Sequence, residues 1–286
     1  MTTELLQDNS ALHEYTKIVQ VEAIQKFLQE QTDGSTIALP EGVKVADLEQ
    51  YLEWLRRYRG TMSTNLISEF VEYVKGTVDG YNEFPVDNFP CFINPQAMRA
   101  IAFFNLGDVD NPGHGDHQAK LSLMKTEAFQ ELLKINGDRF DQRRMAEWME
   151  DWIDHLQTFG EDGTKELSLA ASVAAIRRIT IGTTAETTRE EKTFGTRQSA
   201  MAEVEAKHKD QLPAFLKFTC EPYQGLQERT FTVRLSLITG EKPQISARIV
   251  RLETAQEEMA KELEEKLRSG FEDSGVRTFV GEFDHR

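Results

Sequence analysis

Regular alternation of apolar and polar side chains is clearest within residues 214–270, where it predicts three strands followed by a helix. In the second and third strands every other residue is apolar, so one face of each strand is hydrophobic and the other polar. A turn at 239–243 joins these two strands into an antiparallel hairpin with one buried face. The apolar positions of the hairpin are Phe231, Val233, Leu235, Leu237, Ile245, Ala247 and Ile249.

The helix predicted after the hairpin begins with a capping box, in which Thr254 and Glu257 satisfy each other's backbone amides. Three apolar residues spaced four apart follow and form a stripe along one side, and Gly270 marks the end of the helix. The nearest cover for this stripe is the apolar face of the hairpin. We therefore expect a compact ββα unit, to which Val276–Phe283 adds an edge strand. The stripe residues are Met259, Leu263 and Leu267.

The first eighty residues have mainly helical periodicity, with apolar residues recurring at intervals of three and four. A loop rich in Gly, Pro, Asn and Asp follows at 80–90 and indicates a boundary. We expect a mainly helical N-terminal region, 1–80, and an α+β core, 81–286, either as separate parts or as one continuous domain. The predicted helices of the N-terminal region are 10–31, 46–58 and 64–75.

Residues 179–210 are polar and rich in threonine, and their weak alternation predicts two long strands that project from the core as an arm. Such an arm has too little apolar surface to be stable alone, so we expect it to pair with the hairpin or with a second subunit. The predicted fold class is α+β, with an antiparallel sheet built chiefly from 178–252 and flanked by helices. Other predicted elements are strands at 91–105 and 119–126 and helices at 127–135 and 141–159.

The composition is that of an ordinary globular protein, because 39% of the residues are apolar and 28% are charged. No apolar run approaches the roughly 20 residues that a membrane-spanning helix needs, and the N-terminus lacks the pattern of a secretion signal. We therefore expect a soluble cytoplasmic protein that does not bind membranes. Cys91 and Cys220 lie far apart and outside any C-x-x-C pair, so they predict neither a zinc site nor a disulfide.

The net charge of −15 disfavours a protein whose whole surface binds nucleic acid. Residues 214–251 nevertheless contain six basic and three acidic residues, a balance of +3. Two interpretations stay open: cross-strand charge pairing on a solvated sheet face, or a local face for phosphate groups. The candidate phosphate contacts are Arg229, Arg234, Arg248 and Arg251, together with the basic cluster Arg56, Arg57 and Arg59.

The loop 105–117 has the densest group of imidazoles and carboxylates in the chain, interspersed with glycines. These side chains bind Zn²⁺, Mn²⁺ or Fe²⁺, and they also serve as a general base with its orienting acid. The spacing matches no established metal signature, and the same residue types favour a tight polar loop whose side chains bind local backbone groups. The candidate metal ligands are Asp108, His114, Asp116 and His117.

Trp148 and Trp152 lie one helical turn apart in the predicted helix 141–159. An apolar helix face of this kind usually packs in the core. Large aromatic residues also anchor subunit contacts, because Trp is favoured at the centres of interfaces. Both interpretations stay open, and the pair is a candidate oligomer interface.

Five stretches distributed along most of the chain are LPEGVKVADLEQ, RYRGTMSTNLISEFVEYV, FFNLGDVDNPGHGDHQAKLSL, the WMEDW helix and FTVRLSLITGEKPQISARIVRLE. In this order they resemble the YfdQ-like family of prophage and tailed-phage proteins, a family of unknown function. The resemblance implies a phage or prophage origin and action in the bacterial cytoplasm. It implies no catalytic residue.

Because no motif specifies a reaction, the sequence favours a non-enzymatic function. The first expectation is a phage accessory protein that forms a homo-oligomer and binds a host or phage component. The second is a nucleic-acid-binding protein associated with phage recombination or replication, acting through the arginines named above. The third is a metal-dependent hydrolase that uses the loop around His114 and His117, with a divalent metal as its only cofactor.

Overall fold

The structure is a computed structural model that describes residues 15, 16, 18, 19, 22, 53–55, 57–80, 89–179, 211–238 and 243–284. Its elements, in chain order, are β1 (Gly60–Thr64), α1 (Ile67–Gly80), β2 (Phe89–Asn94), β3 (Arg99–Phe103), β4 (His117–Ser122), α2 (Glu127–Ile135), β5 (Arg139–Phe140), α3 (Gln142–Asp151), β6 (Leu156–Phe159), β7 (Glu166–Leu167), α4 (Leu169–Arg177), β8 (Phe215–Cys220), β9 (Arg229–Ile238), β10 (Gln244–Ile249), α5 (Leu252–Gly270) and β11 (Val276–Val280).

The chain divides into two compact units, Met1–Tyr58 and Arg59–Arg286. In the first unit the described residues of the predicted helix 10–31 are helical. The described residues of 53–58 are not, so the predicted helix 46–58 does not reach its expected end. The helix α1, which the sequence analysis assigned to the N-terminal region, belongs to the second unit.

The first sheet of the second unit has five strands in the order β1–β4–β3–β2–β11. The strand β3 pairs antiparallel with β2 and β4, and the outer strands β1 and β11 pair parallel with β4 and β2. The helix α1 packs against β1 and β4, and α5 packs against α1. The buried, inward-facing residues of the three central strands are Phe89, Cys91, Ile93, Ala100, Ala102, His117, Ala119 and Leu121.

The second sheet has six strands in the order β5–β10–β9–β8–β6–β7 and is antiparallel throughout. Its centre is the hairpin predicted from the sequence, and the buried residues Leu235 and Ala247 lie directly opposite each other across it. The helix α2 packs against β8, α3 packs against β5 and β10, and α4 packs against α3 and β6. The predicted hairpin is confirmed.

One apolar cluster contains the inner residues of both sheets and the buried sides of the helices. In the α2 layer the ring of Phe129 stacks on that of Phe231, with the ring centres 5.2 Å apart. The predicted stripe of α5 is buried as well: Met259, Leu263 and Leu267 are each at most 1% exposed. These layers confirm the α+β class, although the described residues form two sheets where the sequence predicted one.

The predicted start of α5 is wrong. The helix begins at Leu252 after Arg251, which has the left-handed φ of 56° and makes no side-chain cap. Only two residues separate β10 from α5, so the turn must be made at Arg251, and Thr254 lies within the first turn of the helix. The predicted final edge strand is present as β11, but it extends the first sheet rather than the sheet of the hairpin.

Three further boundaries differ from prediction. The stretch 91–105 contains an antiparallel pair, β2 and β3, because a turn at 95–98 divides it. The predicted helix 141–159 ends at Asp151, since its last four residues form β6 and pair with β8. The predicted helix 64–75 runs from Ile67 to Gly80. Of the predicted arm 179–210, only Ile179 lies within the described residues.

Candidate functional site

The face of the first sheet that points away from the core, here called the outer face, carries polar, basic and aromatic side chains. One row of residues crosses all five strands, because each is directly opposite the next: Ser63, Lys120, Ile101, Phe92 and Phe279. Since neighbouring strands lie about 4.8 Å apart, the row extends about 19 Å across the sheet.

The strands of the outer face supply three basic residues and no acidic residue. Arg99, Lys120 and Arg277 are exposed, and none of them forms an ion pair within the described part of the chain. In a chain with a net charge of −15, the strands of this face therefore carry a local positive charge. Its outward residues are Thr61, Ser63, Pro90, Phe92, Asn94, Arg99, Ile101, Phe103, Gln118, Lys120, Ser122, Arg277 and Phe279.

Aromatic rings form a stacked group at the β2–β11 side of the outer face. The ring of Phe92 stacks on that of Phe279 at 5.5 Å and on that of Phe283 at 4.7 Å, with interplanar angles of 24° and 14°. The Arg277 guanidinium lies 5.4 Å from the centre of the Phe279 ring. Phe279 and Phe283 keep 39% and 40% of their surface exposed, so flat apolar surface is available beside the cations.

A groove with a volume of about 780 Å³ runs over the outer face. Its floor includes Lys120 and Arg99, and one wall is the segment Gly281–Asp284, which follows β11. A space of this size is typical of ligand sites, which generally measure about 300–1,000 Å³. The residues that line the groove are Ser63, Thr64, Asn65, Phe92, Arg99, Ala100, Ile101, Lys120, Leu121, Ser122, Gly281, Glu282, Phe283 and Asp284.

Two of the four arginines predicted to contact phosphate have other surroundings. Arg229 donates from Nη2 to Glu262 at 2.8 Å and from Nη1 to Glu258 at 2.9 Å, and its side chain is only 20% exposed. It connects β9 to α5, so its charge is neutralised within the fold. Arg251 is exposed and makes the left-handed turn into α5.

The other two, Arg234 and Arg248, lie directly opposite each other on the outward side of the second sheet. The guanidinium of Arg234 lies 5.8 Å from the ring centre of Phe215 on β8. Two like charges directly opposite each other on neighbouring strands repel. The pair forms a second, smaller basic surface. In the predicted basic cluster Arg56 is outside the described residues, and neither Arg57 nor Arg59 is part of a helix.

The loop that joins β3 to β4 contains three of the four candidate metal ligands, and the fourth, His117, is the first residue of β4. The carboxylate of Asp108 accepts hydrogen bonds from two backbone N–H groups of its own loop, and that of Asp116 accepts one from Asn105 at 2.8 Å. His117 is only 2% exposed. Within the described residues no group of three or more His, Cys, Asp and Glu is arranged to hold a metal ion. The four residues are therefore not brought together as one ligand set.

The glycines of this loop allow its backbone to form a compact turn. Gly107 has a φ of 72°, and a Cβ placed there would lie 2.1 Å from the carbonyl oxygen of Asn111. A Cβ at Gly113 would lie equally close to the carbonyl of Asn105. The neighbouring His117 packs on Phe104, with ring centres 4.5 Å apart. Burial lowers the pKa of His117 below its usual value, and the Asp116 carboxylate opposes this shift more weakly.

The two candidate interface tryptophans lie against the core. Trp148 is 9% exposed and stacks on Phe218 at 5.8 Å, while Trp152 is half-buried beside the same ring at 6.0 Å. Trp148 has little surface left for a partner, which favours the core interpretation of this residue. Trp152 keeps part of its surface, and its contact with a second subunit stays a prediction.

The residues of the groove were not found from the sequence. Arg99 lies in a stretch predicted as one apolar buried strand, and Lys120 in a strand with imperfect alternation. The signal that could have identified them is the period of two in β4, where Gln118, Lys120 and Ser122 alternate with buried residues. The same period in β11 and β2 would have placed Phe279 and Phe92 on the outward side. Strand order, which joins these residues into one row, is not contained in any single stretch.

The model of an uncharacterized conserved protein family (DUF2303) matches residues 8–283 of the chain. No curated protein and no solved structure matches it. Across the described residues, none of the helices has the length and hydropathy needed to cross a membrane.

Proposed function

Because the chain belongs to the uncharacterized conserved protein family DUF2303, we propose a function from its geometry: the protein binds single-stranded nucleic acid on the outer face of the first sheet. The observation that carries this proposal is the row from Ser63 to Phe279, which runs across five strands from a polar and a basic residue, through Ile101, to two aromatic residues and contains no carboxylate. Proteins that bind single strands combine cations along the backbone with aromatic rings on which bases stack.

In this proposal Lys120 and Arg99 contact phosphate groups, and Phe92 and Phe279 supply the surfaces on which bases stack. The helix α1 packs against β1 and β4, and the buried residues of the central strands lie on the side of the sheet opposite to the outer face. A duplex would present its bases to neither ring, whereas a single strand exposes both faces of each base. The chemistry therefore favours a single strand, either DNA or RNA.

The test is the binding of labelled oligothymidylate and oligouridylate of about ten nucleotides, measured by fluorescence anisotropy between about 50 and 200 mM salt. With three cations on the face, the slope of log affinity against log salt concentration should be about −2. Lys120→Gln or Arg99→Gln should each make this slope shallower by about 0.7. Phe279→Ala, a change at an exposed ring, should weaken binding about tenfold or more.

Two control variants locate the binding face. Arg143→Gln removes an exposed arginine that pairs with Glu147 on α3, and it should leave the affinity unchanged. Arg248→Gln removes one member of the basic pair on the second sheet. If Arg248→Gln weakens binding and Lys120→Gln does not, the second sheet is the binding face; if no variant or wild-type protein binds at the lowest salt concentration, the proposal is refuted.

The resemblance to the YfdQ-like proteins supports the wider setting of this proposal: a phage or prophage protein that acts in the bacterial cytoplasm during recombination or replication. Single-stranded intermediates occur in both processes. Stimulation or inhibition of strand annealing by the purified protein would test this setting. Equal annealing rates with and without the protein would argue against it.

A second candidate function is self-association as an accessory protein that binds a host or phage component. The supporting observation is the edge strand β11, where Phe279 and Val280 are 39% and 51% exposed. Exposed apolar edge strands pair readily with other chains. Light scattering should then give a multiple of the 32.7 kDa chain, and Val280→Lys should reduce it to a monomer. A monomeric wild-type protein at micromolar concentration would exclude this function.

A further inference from the structure

The segment after β11, Gly281–Asp284, lies along the groove on the outer face and is here called the tail segment. Its first residue continues the pairing of β11, because the Gly281 N–H donates to the carbonyl oxygen of Ile93 at 2.7 Å. Glu282 then accepts a hydrogen bond from the Asn94 side chain at 2.5 Å. Gly281 has a φ of 144°, which only glycine adopts without strain, so the chain can turn there from the sheet edge onto the outer face.

The ring of Phe283 occupies the position that a stacked base would take. It lies 4.7 Å from the ring of Phe92 and nearly parallel to it, at 14°, and it meets the ring of Phe103 edge-on at 5.7 Å. Phe92 is the central ring of the outer face, so no base can stack on this side of it while Phe283 is present. The contact is partly open, since Phe283 is 40% exposed.

The carboxylates of the tail segment line the same groove as the two cations. Glu282 and Asp284 are both exposed, and they share the groove with Arg99 and Lys120. The strands contribute no carboxylate to the outer face, so among the described residues that line the groove only those of the tail segment are acidic. The tail segment therefore brings one flat ring and two anionic groups to a floor with one flat ring and two cations.

A nucleotide likewise combines a flat ring, its base, with an anionic group, its phosphate. From this correspondence we infer that the groove is a subsite for one nucleotide unit of a single strand, and that the tail segment occupies this subsite in the free protein. The inference rests on the proposed function and adds the position of one base and its phosphate. The base stacks on Phe92 in place of Phe283, and the phosphate lies between Arg99 and Lys120. The tail segment is then a competitor that the ligand displaces.

The test compares two shortened chains in the binding assay with oligothymidylate of about ten nucleotides. A chain that ends at Gly281 lacks the competing ring and the side-chain carboxylates of Glu282 and Asp284, whereas a chain that ends at Asp284 keeps them and serves as the matched control. Both chains carry one terminal carboxylate. We expect the shorter chain to bind about tenfold more tightly, which is the scale of one stacking contact. Phe283→Ala changes no charge, and it should strengthen binding about fivefold.

Hydrogen exchange of the full chain gives a readout of the tail segment itself. Saturation with the oligothymidylate should speed the exchange of the Gly281 amide, because displacement breaks its bond to Ile93, and it should slow exchange in β2. Equal affinity of the two shortened chains with unchanged exchange at Gly281 would overturn the subsite while the proposed function stands. If none of the chains binds the oligonucleotide, the proposed function fails and the subsite with it.

Discussion

Replacement of Arg229 by methionine should lower the free energy of unfolding by about 2 kcal/mol and leave the affinity for oligonucleotides unchanged. Methionine keeps most of the apolar stem of the side chain and removes the guanidinium. The lost bond to Glu262 connects two partly buried groups, with side chains 20% and 11% exposed, and such charged hydrogen bonds contribute about 1.5–3 kcal/mol. The second bond, to Glu258, adds at most about 0.5 kcal/mol, because that carboxylate is 62% exposed.

Two features of the site reduce the expected loss toward the lower part of that range. Glu262 keeps a hydrogen bond from the Gln227 N–H at 2.7 Å and an ion pair with Lys266 at 3.7 Å, so its carboxylate is not left without partners. The Nε–H of Arg229 is buried without an acceptor in the described residues, and methionine removes this unpaired donor. The net figure of about 2 kcal/mol allows for both.

Urea unfolding of a double-mutant cycle measures the interaction directly. Arg229→Met and Glu262→Gln, alone and combined, should give a coupling energy of about 1.5 kcal/mol. Arg268→Met is the control on α5, the helix that carries Glu262. Its bond to Glu264 joins side chains that are 47% and 31% exposed, and its bond to Thr278 on β11 is also exposed, so the change should cost about 1 kcal/mol or less. A coupling energy near zero, or lower oligonucleotide affinity of the folded Arg229→Met protein, would refute this structural role.

Three other substitutions or reactions test the packing. Gly270→Ala should destabilise the protein by about 1 kcal/mol, since the new Cβ would lie 2.9 Å from a methyl group of Val71. The control Gly76→Ala has open space in the interior of α1 and should stabilise the protein by up to about 1 kcal/mol. Urea unfolding midpoints measure both changes. Burial raises the pKa of both cysteine thiols to about 12, so neither should react with a thiol reagent at pH 8 until the protein is unfolded. Because the pKa of His117 is lowered in the folded state, the unfolded chain binds the proton first, and stability should fall as the pH drops below 6.5; His117→Leu should flatten that part of the profile.

Local rules were sufficient for the parts of the fold in which one stretch determines its own structure. The hairpin was predicted with its buried face, because period-two alternation determines which residues point inward whatever the sheet pairs with. The stripe of α5 was predicted for the same reason, with a period near four. The start of that helix was not, because the short connection from β10 requires a left-handed residue, and Arg251 is not a residue type that signals one.

The candidate site depends on pairing between distant parts of the chain, and for this reason the sequence did not reveal it. Lys120 and Phe279 are separated by most of the second unit and meet in one row only because β11 returns to the edge of the first sheet. Conversely, two polar features that stood out in the sequence have partners within the fold. Arg229 donates to Glu262 of α5, and the Asp108 carboxylate accepts from a backbone N–H of its own loop.

The strong negative charge of the chain constrains how the outer face can bind a polyanion. At long range a net charge of −15 repels nucleic acid, so electrostatic steering cannot supply a fast, tight encounter. Three cations release few counterions, and their contribution decreases further as salt rises. In the proposed complex, stacking on Phe92 and Phe279 depends little on salt, so we expect it to supply most of the affinity at physiological ionic strength. It follows that Phe279→Ala should weaken binding more than Lys120→Gln at about 150 mM salt. The difference in affinity between the two variants should become smaller or change sign as the salt concentration is lowered.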